Sequence, residues 1–446
     1  MATPDYEVTS KYKVESGHQE DHASIDFEKS VHEIQIEHVP EGTASATKAL
    51  FVLLKAFVGT GVIFLPNSFK NGGLGLSIGL MCILAIICTY AFQLLVWVHS
   101  RTGGSYGEMG RQLFGRVCYW FVQFFLIVSQ MGFVASYLMF ISQNIGMIAE
   151  AFSHCNPPFE SKYWIWVACG FIIPICWVRK LARLSWAAII ADVFILFGIV
   201  CCLYYTGDEI QRNGGPGPNI VAVNQRDFGL MIGTAVFSFE GIGMVVSVIE
   251  SMKHPEKFPK VLNIGMVIIT TIFILIGTIG YIAYGENIEA SIVSNFRTEP
   301  LSITVQLLYS LAMILTSPIM LWPPLTIIER AIFGKRSGRV ALKWKFGKSF
   351  VRSIIPVVCA AVSFGVGADN LDKFVSLVGI VACMPLCFIF PGMFHFKLSK
   401  NIYLRALDVL LMAWGIGIIV YTLYVNVSSW IDPAPASPHV CSPMNY

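Results

Sequence analysis

Charge is scarce in this sequence. Of its 446 residues only 13% are Asp, Glu, Lys or Arg, 55% are hydrophobic, and the mean hydropathy is +0.64. A chain this apolar at this length has too little polar surface for a soluble protein and reads as a polytopic membrane protein. The net charge of +3 gives no argument for a nucleic-acid partner, and none is expected. Most of the twelve cysteines lie inside apolar runs. The Cys383 and Cys387 pair has no histidine beside it, so neither a disulfide framework nor a metal site is indicated. No nucleophile stands with a base to suggest an enzyme, and no cofactor is expected. Gly365-Val-Gly367 matches only a fragment of a nucleotide loop and follows an apolar helix, so it carries no weight.

The polar residues are concentrated at the start. Residues 1–46 hold ten acidic residues against Lys11, Lys13 and Lys29, which reads as a disordered, solvated cytosolic tail with no signal peptide. Residues 47–427 form the transmembrane domain and 428–446 a short lumenal tail. Runs of spanning length, about 20 apolar residues each, recur about eleven times, so the fold class is all-α with about eleven transmembrane helices. The charges between them test that count. With the amino terminus in the cytosol, the inner loops hold Arg101, Arg111 and Arg116; Arg179, Lys180 and Arg183; Lys253, Lys257 and Lys260; seven basic residues from Arg330 to Lys348; and Lys397, Lys400 and Arg405. The outer loops hold only Lys70, Lys162, Arg212, Arg226, Arg297 and Lys373. Every consecutive pair of loops obeys the positive-inside asymmetry, which a missed or invented span would reverse.

Two spans are interrupted. The first, 47–71, carries Gly59-Thr60-Gly61 at its middle and Pro66 beyond; the sixth, 228–250, carries Gly241-Ile242-Gly243 beside Glu240. Backbone freed by a helix break inside a membrane must face protein, water or a ligand. The second half of the first span would then offer the N–H groups near Gly61 and Val62, and a positive dipole end, to a carboxylate. The competing reading is an ordinary span whose glycines admit a close neighbour. In an inverted repeat of five plus five helices, spans one and six occupy corresponding positions, and a glycine-interrupted pair there points to a substrate site.

The run Leu53 to Gly73, LLKAFVGTGVIFLPNSFKNGG, with Phe237 to Gly243, FSFEGIG, and the following ESMKHPEKFPKVL, resembles the amino acid/auxin permease family. It is most similar to the fungal vacuolar amino acid exporters and then to animal lysosomal proton-coupled transporters. The resemblance covers about Thr47 to Val427. It implies two inverted five-helix repeats with broken helices one and six, plus an eleventh helix, and a site between the breaks. It also implies that Thr60, Gly61 and Val62 receive a substrate carboxylate while Phe237, Ser238 and Glu240 line the amine side. Some animal relatives place a histidine where this chain has Val52, so no coupling role transfers to that position.

Charged groups inside spans are costly and default to functional hypotheses. Lys55, Asp192, Glu240 and Glu329 qualify. Lys55 and Asp192 are expected to pair, and Glu329 to pair with its neighbour Arg330 near the cytosolic surface. Glu240 leads the coupling candidates, ahead of Asp192 and Lys55, because burial disfavours the charged form of a carboxyl. Pro318 and Pro385 are expected to kink their helices. Cys155 and Cys441, the two cysteines on the outer side, are candidates for a disulfide. The expected function is a secondary transporter moving an amino acid with a proton from vacuole to cytosol. Sodium is the alternative ion, the plasma membrane the alternative location, and an amino acid receptor without net transport the alternative activity. The substrate and the lipid bilayer are the expected partners, and oligomeric state is left open.

Overall fold

A computed structural model describes residues 44–179, 181–334 and 342–432. Among them the chain is helical throughout, with one isolated backbone bridge and no strand. Helix α1 spans Ala46–Phe57, capped by Ser45, whose hydroxyl accepts from the Lys48 N–H at 3.3 Å. A 3-10 turn over Thr60–Phe64 leads to α2, Leu65–Gly72. Then come α3, Leu74–Thr102; α4, Tyr106–Phe152; α5, Trp164–Cys176; and α6, Leu181–Arg212. The second half repeats the break: α7, Phe228–Ser238, and α8, Ile242–Ser251, are followed by α9, Phe258–Tyr284, then α10, Pro300–Met320, and α11, Trp322–Phe333. Helix α12, Leu342–Val366, precedes α13, Leu371–Val378, and two π-helical stretches, Gly379–Cys383 and Pro385–Ile389, run into α14, Phe390–Leu398. Helix α15, Ile402–Ile431, is the last.

Nine helical stretches among the described residues are long and apolar enough to cross a membrane, and α1 with the segment after it forms one bent pair at 44°. The stretch Ser161–Cys176 is shorter, so a count of eleven requires that it and the bent pair each cross. Helix α4 changes direction at Gly115, whose φ of 82° and ψ of −171° are not helical. Span eight is interrupted at Leu321, between Pro318 in α10 and the prolines that open α11. Pro385 opens the second π-helical stretch, one residue after the first ends, so the expected irregularity in this span takes the form of π turns.

Helices in lipid gain little from apolar burial against each other, so close packing and internal polar contacts must hold them. Small residues supply the packing. A side chain on Gly233 of α7 would strike Ser376 of α13, and one on Gly277 of α9 would strike the Phe69 ring of α2. Helix α6, by contrast, presents Trp186, Ile189, Val193, Leu196 and Val200 outward at helical spacing, which marks a lipid-facing stripe. The connection from α6 to α7 stitches one end of the bundle. Leu74 and Gly75 donate to the Val221 and Ala222 carbonyls at 2.9 Å, Asn224 donates to Gly72 O at 3.0 Å, and Asn219 Nδ2 reaches Glu286 Oε2 at 2.6 Å. Gly73 is required there, with φ at +80° and a Cβ position only 2.7 Å from Val223 Cα.

At the opposite end, Ala44 pairs with the chain just after α8. Its N–H donates to Ser251 O and its carbonyl accepts from the Lys253 N–H, both at 3.0 Å. Residues 44–46 of the segment read as a tail thus already make structural contacts, and the rest of that tail lies outside the described residues.

Candidate functional site

The two breaks lie against each other. Helix α1 ends when Val58 turns to ψ 66° and Gly59 to φ −115°, ψ −141°, values no helix continues. Helix α7 ends at Ser238, Phe239 and Glu240 carry the chain across, and Gly241 at φ −158° opens α8. Ser238 is the contact between them. Its hydroxyl donates to Thr234 O at 3.0 Å and lies 3.4 Å from Gly61 O, and a Cβ on Gly61 would sit 3.3 Å from its oxygen. Gly61 and Gly241 therefore fit both readings, standing at the interruptions and admitting a close neighbour, whereas Gly59 only interrupts and Gly243 lies inside α8 with nothing closer than 3.8 Å.

Interruption leaves backbone groups without helical partners. In an i to i+3 turn beginning at Thr60, the N–H groups of Thr60 and Gly61 have no partner inside the turn, and Val62 is the first that can reach back to Gly59. Val62 is buried at 1% exposure and so belongs to the packed side of the break. Of Thr60, the side chain lies outside the description. The first N–H groups of α8 are likewise free of helical partners, with Glu240 immediately ahead of them. Glu240 is half-buried, but its Oε1 is fully enclosed and has no hydrogen-bond partner.

Aromatic rings wall the breaks on one side. Phe237 packs on Phe133 of α4 at 4.4 Å between centroids and edge-on to Phe64 at 6.3 Å; Phe64 meets Phe140, which meets Tyr309 of α10. The Tyr309 hydroxyl is buried without a partner. Idle donors and acceptors beside apolar walls suit a zwitterion with an apolar side chain better than packing alone.

Of the residues singled out from sequence, Gly61, Val62, Phe237, Ser238 and Glu240 converge here. Lys55 and Asp192 do not. Lys55 Nζ pairs with Asp192 Oδ2, linking α1 to α6 with both side chains part-exposed, away from the residues that join the two breaks. Glu329 does not take Arg330 as its partner: Arg352 of α12 does, with Nε 2.6 Å from Glu329 Oε1 and NH2 3.3 Å from Oε2. The Arg352 NH1 also donates to the carbonyls of Cys176 and Val178, both at 3.0 Å, satisfying the carboxyl end of α5. Adjacency in sequence favoured Arg330, but consecutive residues on a helix do not face each other. Cys155 is disulfide-bonded, and Cys441 lies outside the described residues. Asn426 of the Asn-Val-Ser triplet is buried and donates to Lys373 O at 3.0 Å. No cluster of three metal-ligating side chains occurs among the described residues.

Two interrupted spans packed break to break form the architecture of secondary transporters built on repeats. The family described as "Transmembrane amino acid transporter protein" matches residues 42–429, and the chain belongs to it. Vacuolar amino acid transporter 3 of Saccharomyces cerevisiae is 38% identical over 395 residues, covering 87% of this chain and 57% of that protein. Vacuolar amino acid transporter 3 of Schizosaccharomyces pombe is 34% identical over 386 residues, covering 86% and 58%. The chain thus spans less than two thirds of the length of these fungal relatives. Amino acid transporter AVT3C of Arabidopsis thaliana is 28% identical over 369 residues, covering 78% and 81%. Among solved structures, the inward-facing conformation of Mhp1 superposes with a TM-score of 0.58 at 14% identity, over 88% of this chain and 91% of that one. MhsT in complex with L-phenylalanine gives 0.52 at 12%, over 87% and 100%. These two establish the shared fold.

Proposed function

We propose that this protein moves amino acids across the vacuolar membrane by alternating access, coupled to protons and directed from the acidic lumen to the cytosol. The observation that carries the reading is Glu240, an acid in the connection across the break of span six, with one oxygen enclosed and unpartnered. A substrate carboxylate is held by the Thr60 and Gly61 N–H groups at the start of the turn, where the dipole is positive. The ammonium faces Glu240 and the carbonyls released at the ends of α1 and α7. The substrate side chain lies along Phe64, Phe133, Phe140 and Phe237. Glu240 carries the coupling proton, as the acid at the break whose enclosed oxygen no protein group answers.

The names of the fungal relatives support the substrate class and the membrane. The placement of basic residues supports a cytosolic amino terminus. Purified protein in proteoliposomes, given an inwardly directed proton gradient and a panel of labelled amino acids, should accumulate a subset of them while protons move in step. Saturable binding without flux would overturn the reading in favour of a receptor, and accumulation driven by sodium alone would overturn the choice of ion.

A further inference from the structure

His395 and Asp408 take no part in the site above, yet they form the most enclosed carboxylate and imidazole pair among the described residues. His395 lies in the last turns of α14 and Asp408 in the second turn of α15, across the short connection at 399–401. Imidazole Nδ1 is 2.7 Å from Asp408 Oδ2, and the side chains are 4% and 0% exposed. Helix α3 packs against the pair. Its Trp97 ring meets the imidazole edge-on at 4.5 Å, with Arg101 stacked 3.3 Å over the far side of the indole, and its Tyr90 interacts electrostatically with Asp408. From α4, Tyr106 is already committed, donating to Leu386 O at 2.6 Å. Lys397 and Arg405 lie over the Phe114 and Phe396 rings. His395 is thus the one cationic group bonded to Asp408 among the described residues.

A buried pair that serves stability alone has its remaining lone pairs satisfied. This one does not: Asp408 Oδ1 and the Tyr90 hydroxyl are both enclosed without a hydrogen-bond partner. Counting charge gives the pair a preferred load. Neutral imidazole with ionised carboxylate leaves one uncompensated negative charge in a low-dielectric interior, and one added proton cancels it. Histidine is also the side chain that changes charge between an acidic lumen and a neutral cytosol. The location fits an exit. Cys383 and Cys387 of the π-helical stretch are in electrostatic reach of Glu240, and the same span continues two turns to His395, beside the basic connection that the charge pattern places in the cytosol.

We propose that His395 and Asp408, with the Tyr90 hydroxyl, form a second proton-binding site on the cytosolic side of Glu240, through which the transported proton leaves. The step balances without another reactant. The Glu240 carboxyl gives up its proton, the pair takes one and becomes neutral, and the pair then releases one to cytosolic water. The inference rests on the proton-coupled reading above.

The test begins with the unaltered pair. In full-length protein in proteoliposomes, the emission difference between wild type and Trp97→Phe is titrated with pH, since an imidazolium beside an indole quenches it. A pH-dependent quenching step is expected, and it should vanish in His395→Asn, which keeps a donor near Nδ1 but holds no proton to exchange. In uptake assays, His395→Asn and Asp408→Asn should lose the dependence of rate on cytosolic pH while keeping the dependence on lumenal pH. A Trp97 difference that does not titrate overturns the proposal whether or not the variants fold. So does a His395→Asn protein with the wild-type response to cytosolic pH. Wild type that carries amino acids without moving protons would instead end the proton reading as a whole.

Discussion

Phe57, the last residue of α1, closes directly over Gly241, the residue that caps the start of α8: a methyl group at Gly241 would lie 2.4 Å from the tip of the Phe57 ring. The ring is 3% exposed and tilted against Phe92 at 5.9 Å, so it has nowhere to retreat.

Gly241→Ala should therefore overpack the junction, costing about 1 to 3 kcal/mol, and should stop uptake even where protein is made. Phe57→Leu in the same chain should recover part of both losses. Thermal unfolding in detergent and labelled uptake measure the two; a fully stable, active Gly241→Ala protein would show that the breaks do not dock as described.

Removing Arg352 leaves Glu329 buried without its partner and strands the carbonyls of Cys176 and Val178. Arg352→Met should destabilise by about 3 to 5 kcal/mol. Pairing it with Glu329→Leu should recover much of that, because two apolar residues leave no orphaned charge. A double-mutant cycle on unfolding temperature reads the coupling, which would be near zero if Glu329 paired with Arg330.

Glu240→Gln keeps size and hydrogen-bonding capacity but cannot titrate. Proton-driven accumulation should be abolished, with binding or exchange retained and the residual rate nearly independent of lumenal pH. Simultaneous proton and amino acid fluxes decide the matter, and normal coupling in this variant would move the role to Asp192.

Tags after Met1 and after Tyr446 should lie on opposite sides of the membrane, the first reachable from the cytosol and the second protected. Finding both on one side would require an even number of crossings and would remove the eleventh helix from the scheme.

Non-reducing peptide mapping should recover Cys155 joined to Cys441, tying the connection after α4 to the carboxyl-terminal tail. Recovery of Cys155 with any other partner, or as a free thiol, would refute that pairing.

Much of this was legible because membrane helices write their limits in hydropathy, and breaks in them need glycine. Gly59, Gly61 and Gly241 marked both interruptions, although the second falls just ahead of the Gly-x-Gly triplet and leaves Gly243 inside α8; the loop charges ordered the spans between them. What stayed hidden depends on contacts between spans. Glu329 and Arg352 are 23 positions apart, and His395 and Asp408 are 13 apart, each pair on separate helices that no single-helix periodicity relates. Yet Arg352 and Asp408 stand inside apolar runs, and weighing them as intramembrane charges would have exposed both. The form of the first break was also beyond reach: whether Val62 offers its N–H or spends it on a 3-10 turn is set by the backbone angles at Val58 and Gly59, which the residue types do not fix.

The two hydrogen bonds of Ala44 give the leading strand mechanical leverage. By joining the chain ahead of α1 to the chain behind α8, they tie together one half of each broken span. If the protein works by the alternating access proposed above, a load hung on the chain ahead of Ala44 would reach both halves at once, and tension there would slow the cycle at a point that touches neither substrate nor ion.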